Sequence, residues 1–281
     1  MSAVQHEDLL VIDDLSVEYR KKGLRRGVFR AVEHVDLTVG RGETLGLVGE
    51  SGSGKTTIGR AVLGLAPVST GRILFEGRDV SHLDRRGRRG LSGDLQVVFQ
   101  DPYSSLNPSM SVGDILAEPL GIQGVSRRDA RARIATLLDQ VGLPSDAIGR
   151  LPREFSGGQR QRVAIARALA LKPKLIVCDE PVSALDLTTQ ARILDLLLSI
   201  QVETGVSYLF VSHDLDVVRH LSHRVAVIYR GEIVEQGDAR QVTEAPRHPY
   251  TRRLLMASPV VDPSRQAERR AQRRRLLAAE A

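Results

Sequence analysis

Apolar and polar positions alternate along residues 9–19 and again from Ala31 to Val39, which predicts two half-buried strands joined by a basic, glycine-containing loop. Glu43–Val48 predicts a third strand that runs straight into a glycine-rich turn, and Thr57–Leu65 then takes helical spacing. Leu95-Gln96-Val97-Val98-Phe99 predicts a short buried strand ending at Gln100, followed by turn-rich residues 101–108. From about 111 to 170 the spacing is helical: Ile134, Leu137, Leu138 and Val141 recur at i, i+3, i+4 and i+7, and Val163–Leu171 is rich in alanine and arginine. Beyond it come a strand at Leu175–Asp179, a helix at Thr188–Gln201 and a strand at Tyr208–Ser212. The helix would carry Ile193, Leu196, Leu197 and Ile200 on one face. A helix at Leu215–Leu221 follows, then a hairpin of Val225–Tyr229 and Glu232–Gln236 around Arg230-Gly231.

Alternation of strands and helices predicts an α/β fold with a mostly parallel sheet covered on both faces. The early alternating strands form an antiparallel β subdomain, and residues of about 101–170 read as an inserted α-helical subdomain. On this reading residues 1–237 are the main domain and 238–281 a C-terminal appendage with an Arg-rich tail. No internal repeat is visible. Apolar residues make up 42% of the 281 positions and Trp is absent, so the core must be chiefly aliphatic. Cys178 is the sole cysteine, which excludes an intrachain disulfide or a cysteine-held cluster and fits a reducing compartment. Met1–Asp8 is polar and acidic, unlike a signal peptide, and no run approaches the ~18 apolar residues of a membrane span, so the expectation is a soluble, cytosolic chain.

The net charge is +6, and residues 265–281 alone carry six Arg against two Glu. No aromatic residues interleave them, so this tail reads as a solvated helical segment rather than a nucleic-acid surface. Arg20-Lys21-Lys22…Arg25-Arg26 and Arg85-Arg86…Arg88-Arg89 read as exposed loops.

The chemistry lies in a few short motifs. Gly49-Glu50-Ser51-Gly52-Ser53-Gly54-Lys55-Thr56 sits between a predicted strand and a predicted helix. Backbone N–H groups of such a loop wrap a phosphate, the lysine reaches the β- and γ-phosphates, and the Thr56 hydroxyl ligates Mg²⁺. This is the mark of a P-loop NTPase fold. Asp179 and Glu180 end a buried strand, at the edge where open α/β sheets bind ligands. Asp179 is placed to hold Mg²⁺ through water and Glu180 to polarise the water that attacks the γ-phosphate. Gln100 and His213 each end a strand at the same edge. Ser156-Gly157-Gly158-Gln159 opens a helix and resembles a second phosphate surface, on the helical subdomain away from the first. One chain cannot readily offer both to one nucleotide, whereas two chains head to tail can. His220 and His223 have no evident third ligand and read as structural or exposed.

The ordered set, closing with Ser183-Ala184-Leu185-Asp186 and His213, resembles the nucleotide-binding subunits of ATP-binding cassette (ABC) transporters across residues of about 9–237. Phe155-Ser156-Gly157-Gly158-Gln159-Arg160-Gln161-Arg162 matches that family's signature. The resemblance implies ATP and Mg²⁺ as ligands, with phosphates and metal held by Gly49–Thr57, including Ser51, Ser53 and Thr57. It implies Tyr19 as the ring on adenine, although Phe29 competes for that place. Thr56, Gln100 and Asp179 would serve Mg²⁺, and Gln100 would also sense the γ-phosphate and link to a membrane partner. Glu180 would be the base, with His213 and Lys55 beside it on the γ-phosphate. Ser156–Gln159 would clamp ATP bound to the opposite subunit, and Asp186 would stabilise the dimer contact.

Gln100-Asp101-Pro102-Tyr103-Ser104-Ser105-Leu106-Asn107-Pro108 and His248-Pro249-Tyr250-Thr251 are similar to the dipeptide/oligopeptide importer group. That resemblance implies an ATPase subunit for import of peptides or similar small solutes. It would be peripheral on the cytoplasmic side of the cell membrane, with a second ATPase (paralogue or copy) and two transmembrane permease subunits. An extracytoplasmic solute-binding protein would act indirectly, and no nucleic acid is expected. Some members carry a C-terminal iron–sulfur cluster, which one cysteine cannot supply. The alternative is a cassette ATPase of a soluble complex, as in phosphonate degradation. A GTPase is disfavoured, since no Asn-Lys-x-Asp motif is present.

Overall fold

The computed structural model describes residues 8–20, 27–101 and 105–257. The two alternating segments form β1 (Asp8–Arg20) and β2 (Val28–Gly40), paired antiparallel from Asp8 opposite Gly40 to Arg20 opposite Val28. On the other edge of β1 lie β4 (Thr70–Phe75) and then β5 (Arg78–Asp79), completing a four-stranded antiparallel sheet. The sequence pattern shows neither of these strands, because Gly71 and Arg72 break the alternation and only Ile73 and Phe75 of β4 point into the core.

The second sheet holds β3 (Thr44–Val48), β6 (Leu95–Val98), β7 (Leu175–Asp179), β8 (Ser207–Ser212), β9 (Arg224–Tyr229) and β10 (Glu232–Asp238). Their order is β10-β9-β3-β8-β7-β6, and every neighbouring pair is parallel except the edge hairpin β9–β10. The mostly parallel sheet is therefore present as expected. The hairpin turns at Arg230 and Gly231, both with positive φ, the geometry whose twist suits a two-residue connection.

Side chains of the central strands divide between two apolar layers with the period of two that a pleated strand imposes. Leu175, Val177, Leu209, Val211, Ala226 and Ile228 face the antiparallel sheet and α1 (Lys55–Val62). Ile176, Cys178, Tyr208, Phe210, Val225 and Val227 face the opposite layer of helices. That layer contains α3 (Val112–Ile122), α4 (Arg127–Gln140), α5 (Gly157–Leu169), α6 (Leu187–Thr204) and α7 (Leu215–Leu221). Ile134, Leu137, Leu138 and Val141 are all buried, as their spacing predicts. The helical pattern over 111–170 resolves into separate helices, divided at the positive-φ residues Gly124 and Gly142 and by short 3₁₀ turns at Ser145–Gly149 and Pro152–Glu154.

The basic cluster expected as an exposed loop is instead a short helix, α2 (Arg85–Leu91), between β5 and β6. Asp84 caps it by accepting from the Gly87 N–H at 2.7 Å. It remains unburied, but Arg88 folds back against Gly64, where any Cβ would collide with the guanidinium. Lys21–Arg26, Pro102–Ser104 and the Arg-rich segment 265–281 lie outside the described residues. The chain closes with α8 (Ala239–Glu244) and α9 (Pro249–Ala257).

Parallel register sets the functional edge. Val48 is level with Ser212, Asp179 with Val211, and Val98 with Cys178. Gly49, Gln100, Glu180 and His213 thus leave the sheet at one carboxyl edge, although up to 164 positions separate them.

Candidate nucleotide site

The glycine-rich loop leaves β3 and ends at Gly54, whose φ of 113° is open to glycine alone and from which α1 starts at Lys55. A Cβ there would lie 2.6 Å from the Ala31 carbonyl oxygen, so packing as well as φ demands the glycine. Gly52 also has positive φ, yet nothing lies within 4 Å of where its Cβ would be. Lys55 is 4% exposed and donates from Nζ to the carbonyls of Gly49 and Glu50, both at 2.8 Å. Burial lowers its pKa, against the pull of Glu180, Asp179 and Glu50. The Ser53 hydroxyl is buried with no partner. Orphan helix N–H groups, a buried ammonium and an unpaired hydroxyl around open space fit an anion such as a phosphate chain.

Across the edge, the Thr56 hydroxyl donates to Asp179 Oδ1 at 2.9 Å. Burial raises the Asp179 pKa; the Thr56 hydrogen bond opposes this and the neighbouring Glu180 charge adds to it. This hydroxyl–carboxylate pair is a hard-oxygen set of the kind Mg²⁺ takes, usually with few protein ligands. Glu180 follows with φ of 48°, a left-handed conformation uncommon outside glycine and typical of constrained sites. Its N–H donates to the Val211 carbonyl, and its Oε2 lies 3.1 Å from His213 Nδ1. The carboxylate is largely sheltered while the imidazole is half exposed.

A cavity of about 360 Å³ lies over the loop, lined by Tyr19, Phe29, Ala31, Ser51, Gly52, Gly54, Lys55, Thr56, Thr57, Gln100 and Glu180. The structure therefore brings together most of the residues expected around ATP, and it places both candidate aromatics there. Ala31 is an addition that no sequence signal marks.

Ser156–Gln159 and Asp186 do not line this cavity. Ser156 caps α5 through a reciprocal box: its hydroxyl oxygen accepts the Gln159 N–H at 3.3 Å, and Gln159 Oε1 accepts the Ser156 N–H at 3.0 Å. Ser156 is exposed and its own hydroxyl proton remains available to donate outward. Gly158 has a second, intrachain reason to be glycine, because a Cβ would lie 2.3 Å from Thr189 Cγ2 of α6. Asp186 caps α6, accepting from the Thr189 N–H at 3.0 Å and hydroxyl at 2.7 Å. That hydroxyl and backbone pairing holds its pKa below the usual aspartate range.

His220 pairs with Asp195 at 3.1 Å, whereas His223 Nδ1 accepts the Thr44 N–H at 3.0 Å. Both rings are engaged structurally, and among the described residues no cluster of three His, Cys, Asp or Glu forms a metal site. Cys178 is fully buried and its thiol pKa is pushed upward by burial, which leaves it protonated.

Sequence reasoning missed one contact at the loop. The Glu50 N–H donates to the Tyr250 hydroxyl at 3.0 Å, across 200 positions of sequence. No local spacing could signal it.

Comparison with known proteins places this geometry. Residues 32–183 match the ABC transporter family, and residues 234–280 match the C-terminal region of oligopeptide/dipeptide transporters. The chain is 50% identical over 277 residues to the glutathione import ATP-binding protein GsiA of Salmonella typhimurium (strain LT2), covering 96% of this chain but only 44% of that protein. It is 47% identical over 274 residues to the oligopeptide transport ATP-binding protein OppF of Lactococcus lactis subsp. lactis (strain IL1403), covering 95% of this chain and 85% of that one. Among solved structures, cbiO1 from Clostridium perfringens, part of the transporter complex cbiONQ, aligns with a TM-score of 0.76 at 28% identity, over 85% of this chain and 93% of the other. The dimeric post-hydrolysis state of the ATP-binding cassette MJ0796, bound to ADP and Pi, aligns with a TM-score of 0.73 at 29% identity, over 82% and 99%. With the phosphate loop, the paired acids and the signature helix on this fold, the chain belongs to the ABC transporter family, as one of its ATP-binding cassettes.

Proposed function

We propose that this chain is the ATP-hydrolysing subunit of an importer, energising uptake of peptides or similar small solutes through a separate permease. The observation that carries this reading is the match of residues 234–280 to the peptide-transporter C-terminal region, on a chain that also holds the nucleotide site. The relatives are named as transport and import proteins, so a soluble phosphonate-type complex is not favoured.

In this reading residues 1–237 are the cassette, with about 101–170 as its helical subdomain, and 238–281 are the appendage. The base of ATP lies on Tyr19 or Phe29, and its phosphates lie in the loop from Gly49 to Thr57, including Ser51, Gly52, Ser53 and Gly54. Lys55 has two of its three N–H donors on those carbonyls and gives the third to a phosphate oxygen, whose charge offsets the cost of its burial. Thr56, Asp179 and Gln100 would hold Mg²⁺, which neutralises phosphate charge when bound. Glu180 takes the proton of the attacking water, oriented by His213.

Ser156, Gly157, Gly158 and Gln159 act on ATP held by a second cassette, a copy or a paralogue, with Asp186 at the contact between them. Closure of that pair would reach two permease subunits through Gln100 and the segment after it. Arg167 of α5 donates to the Ser105 carbonyl at 2.5 Å, which ties that segment to the signature helix. The chain would sit as a peripheral subunit on the cytoplasmic face; no described helix is long and apolar enough to cross a membrane. A solute-binding protein would take part only through the permease.

The test is purification of the tagged chain from detergent-solubilised membranes of its host. Two multi-span proteins and a second cassette ATPase are expected to accompany it. Recovery with soluble enzymes alone would overturn the importer reading.

A further inference from the structure

The contact between Tyr250 and Glu50 joins the C-terminal element to the phosphate loop. The Glu50 N–H and the Gly49 carbonyl belong to one peptide unit. Its N–H donates to the Tyr250 hydroxyl at 3.0 Å, and its carbonyl accepts Lys55 Nζ at 2.8 Å. One amide plane therefore connects the tyrosine to the lysine, and hydrogen bonds at both ends of an amide strengthen each other.

Tyr250 is held firmly. It is 2% exposed, and its ring lies against Tyr229 at a centroid distance of 4.2 Å. Burial raises the phenol pKa, so the group stays neutral. The turn before α9 is anchored by Glu235 on β10, whose carboxylate accepts the Arg247 N–H at 2.8 Å and the His248 N–H at 3.0 Å. His248 Nδ1 in turn accepts the Tyr250 N–H at 3.2 Å. Burial pushes the Glu235 carboxyl upward, but these donors with the Thr251 and Gln241 side chains hold it below the usual range, hence ionised.

We infer that Tyr250 is a positioning residue of the nucleotide site: it fixes the Gly49–Glu50 peptide plane that aligns Lys55, and Glu235 fixes Tyr250. The segment that reads as an appendage is in this respect part of the ATP site. The inference rests on the ATP-binding reading of the loop. Without the hydroxyl, a part-buried N–H loses its acceptor, the peptide is free to turn, and the loop is no longer set for the phosphate chain.

The experiment uses the full chain with Mg²⁺ and a fluorescent N-methylanthraniloyl ATP, together with thermal melts. Tyr250→Phe keeps the ring against Tyr229 and removes only the hydroxyl that accepts the Glu50 N–H. It is expected to weaken binding by roughly three- to tenfold, and to raise the KM for ATP by a similar factor while kcat at saturation changes less than about twofold. Glu235→Ala should produce the same effect, and the double variant should be no worse than the poorer single one, since both act through one contact. Ile134→Val in α4 serves as the control: it lowers stability and leaves affinity unchanged. Wild-type affinity in Tyr250→Phe overturns the inference. So does a loss that Ile134→Val reproduces in proportion to its fall in Tm. If the unaltered chain fails to bind the nucleotide, the ATP reading falls first and the inference with it.

Discussion

Tyr19 and Phe29 stand directly opposite each other in the β1–β2 ladder and line the same cavity. Opposed residues of an antiparallel pair share a face, so the two rings form one aromatic wall. They are 37% and 50% exposed, a large apolar area to leave in water without a ligand. Tyr19→Ala and Phe29→Ala should each weaken binding of the fluorescent ATP, on the scale of roughly 1–3 kcal/mol for base–aromatic stacking. The larger loss identifies the ring on the base. If neither variant binds more weakly, the base does not lie on this wall.

The 3.1 Å contact of Glu180 with His213 joins the residues that follow β7 and β8, and Glu180, with its left-handed backbone, lines the cavity over the loop. Glu180→Gln should retain ATP binding and lose turnover by about 10²–10⁴-fold, the usual contribution of a general base. Phosphate release and gel filtration would read it, the second as a long-lived ATP-bound dimer. Turnover near that of the unaltered chain would remove Glu180 from the role.

Asp179 carries a pH-dependent cost. Its pKa is raised in the folded state by burial, so the ionised form is disfavoured relative to the unfolded chain. The penalty is present in full above the folded pKa. It fades as pH falls through that value towards the unfolded pKa of about 3.9. Asp179→Asn is therefore expected to raise the Tm of the nucleotide-free chain at pH 7 by a few degrees, on a scale of about 2–4 °C per kcal/mol. The gain should vanish towards pH 4, and Mg²⁺-dependent nucleotide binding should weaken. A lower Tm at pH 7 in melts of the variant would contradict this account.

Gly158 tests whether the signature helix is constrained from inside. Gly158→Ala sets a methyl against Thr189 Cγ2 and should cost about 1–3 kcal/mol as overpacking. Adding Thr189→Ser removes that methyl while keeping the hydroxyl for Asp186, so the double variant should recover most of the lost Tm. At Gly157 a Cβ would meet Leu185 only at 3.4 Å, and Gly157→Ala should fold normally. No recovery in the double variant would mean that the glycine answers a different demand.

Much of this site is legible along the chain because its parts are local. The loop, Asp179-Glu180 and Ser156–Gln159 each occupy a few consecutive residues at an element boundary, where backbone groups lack regular partners and side chains must supply them. The period of two in β1 and of 3.6 in α4 likewise reflects burial of one face by neighbours a few positions apart. The same logic explains the misreadings. Four arginines around two glycines look like a solvated loop at 85–91, yet Asp84 supplies a cap and Arg88 a place to pack. Gly71 and Arg72 hide β4, whose partner strand lies some sixty positions earlier.

Sequence pattern thus determined most of the elements and which motifs carry charge and phosphate chemistry, since both depend on side chains within a turn or two of helix or strand. Tertiary structure decided the rest. It set Tyr19 across from Phe29, Glu180 beside His213 and Tyr250 against the peptide of Glu50. Those meetings come from whole faces of sheet and helix excluding water together, an energy spread over many residues and readable from no single window of the chain.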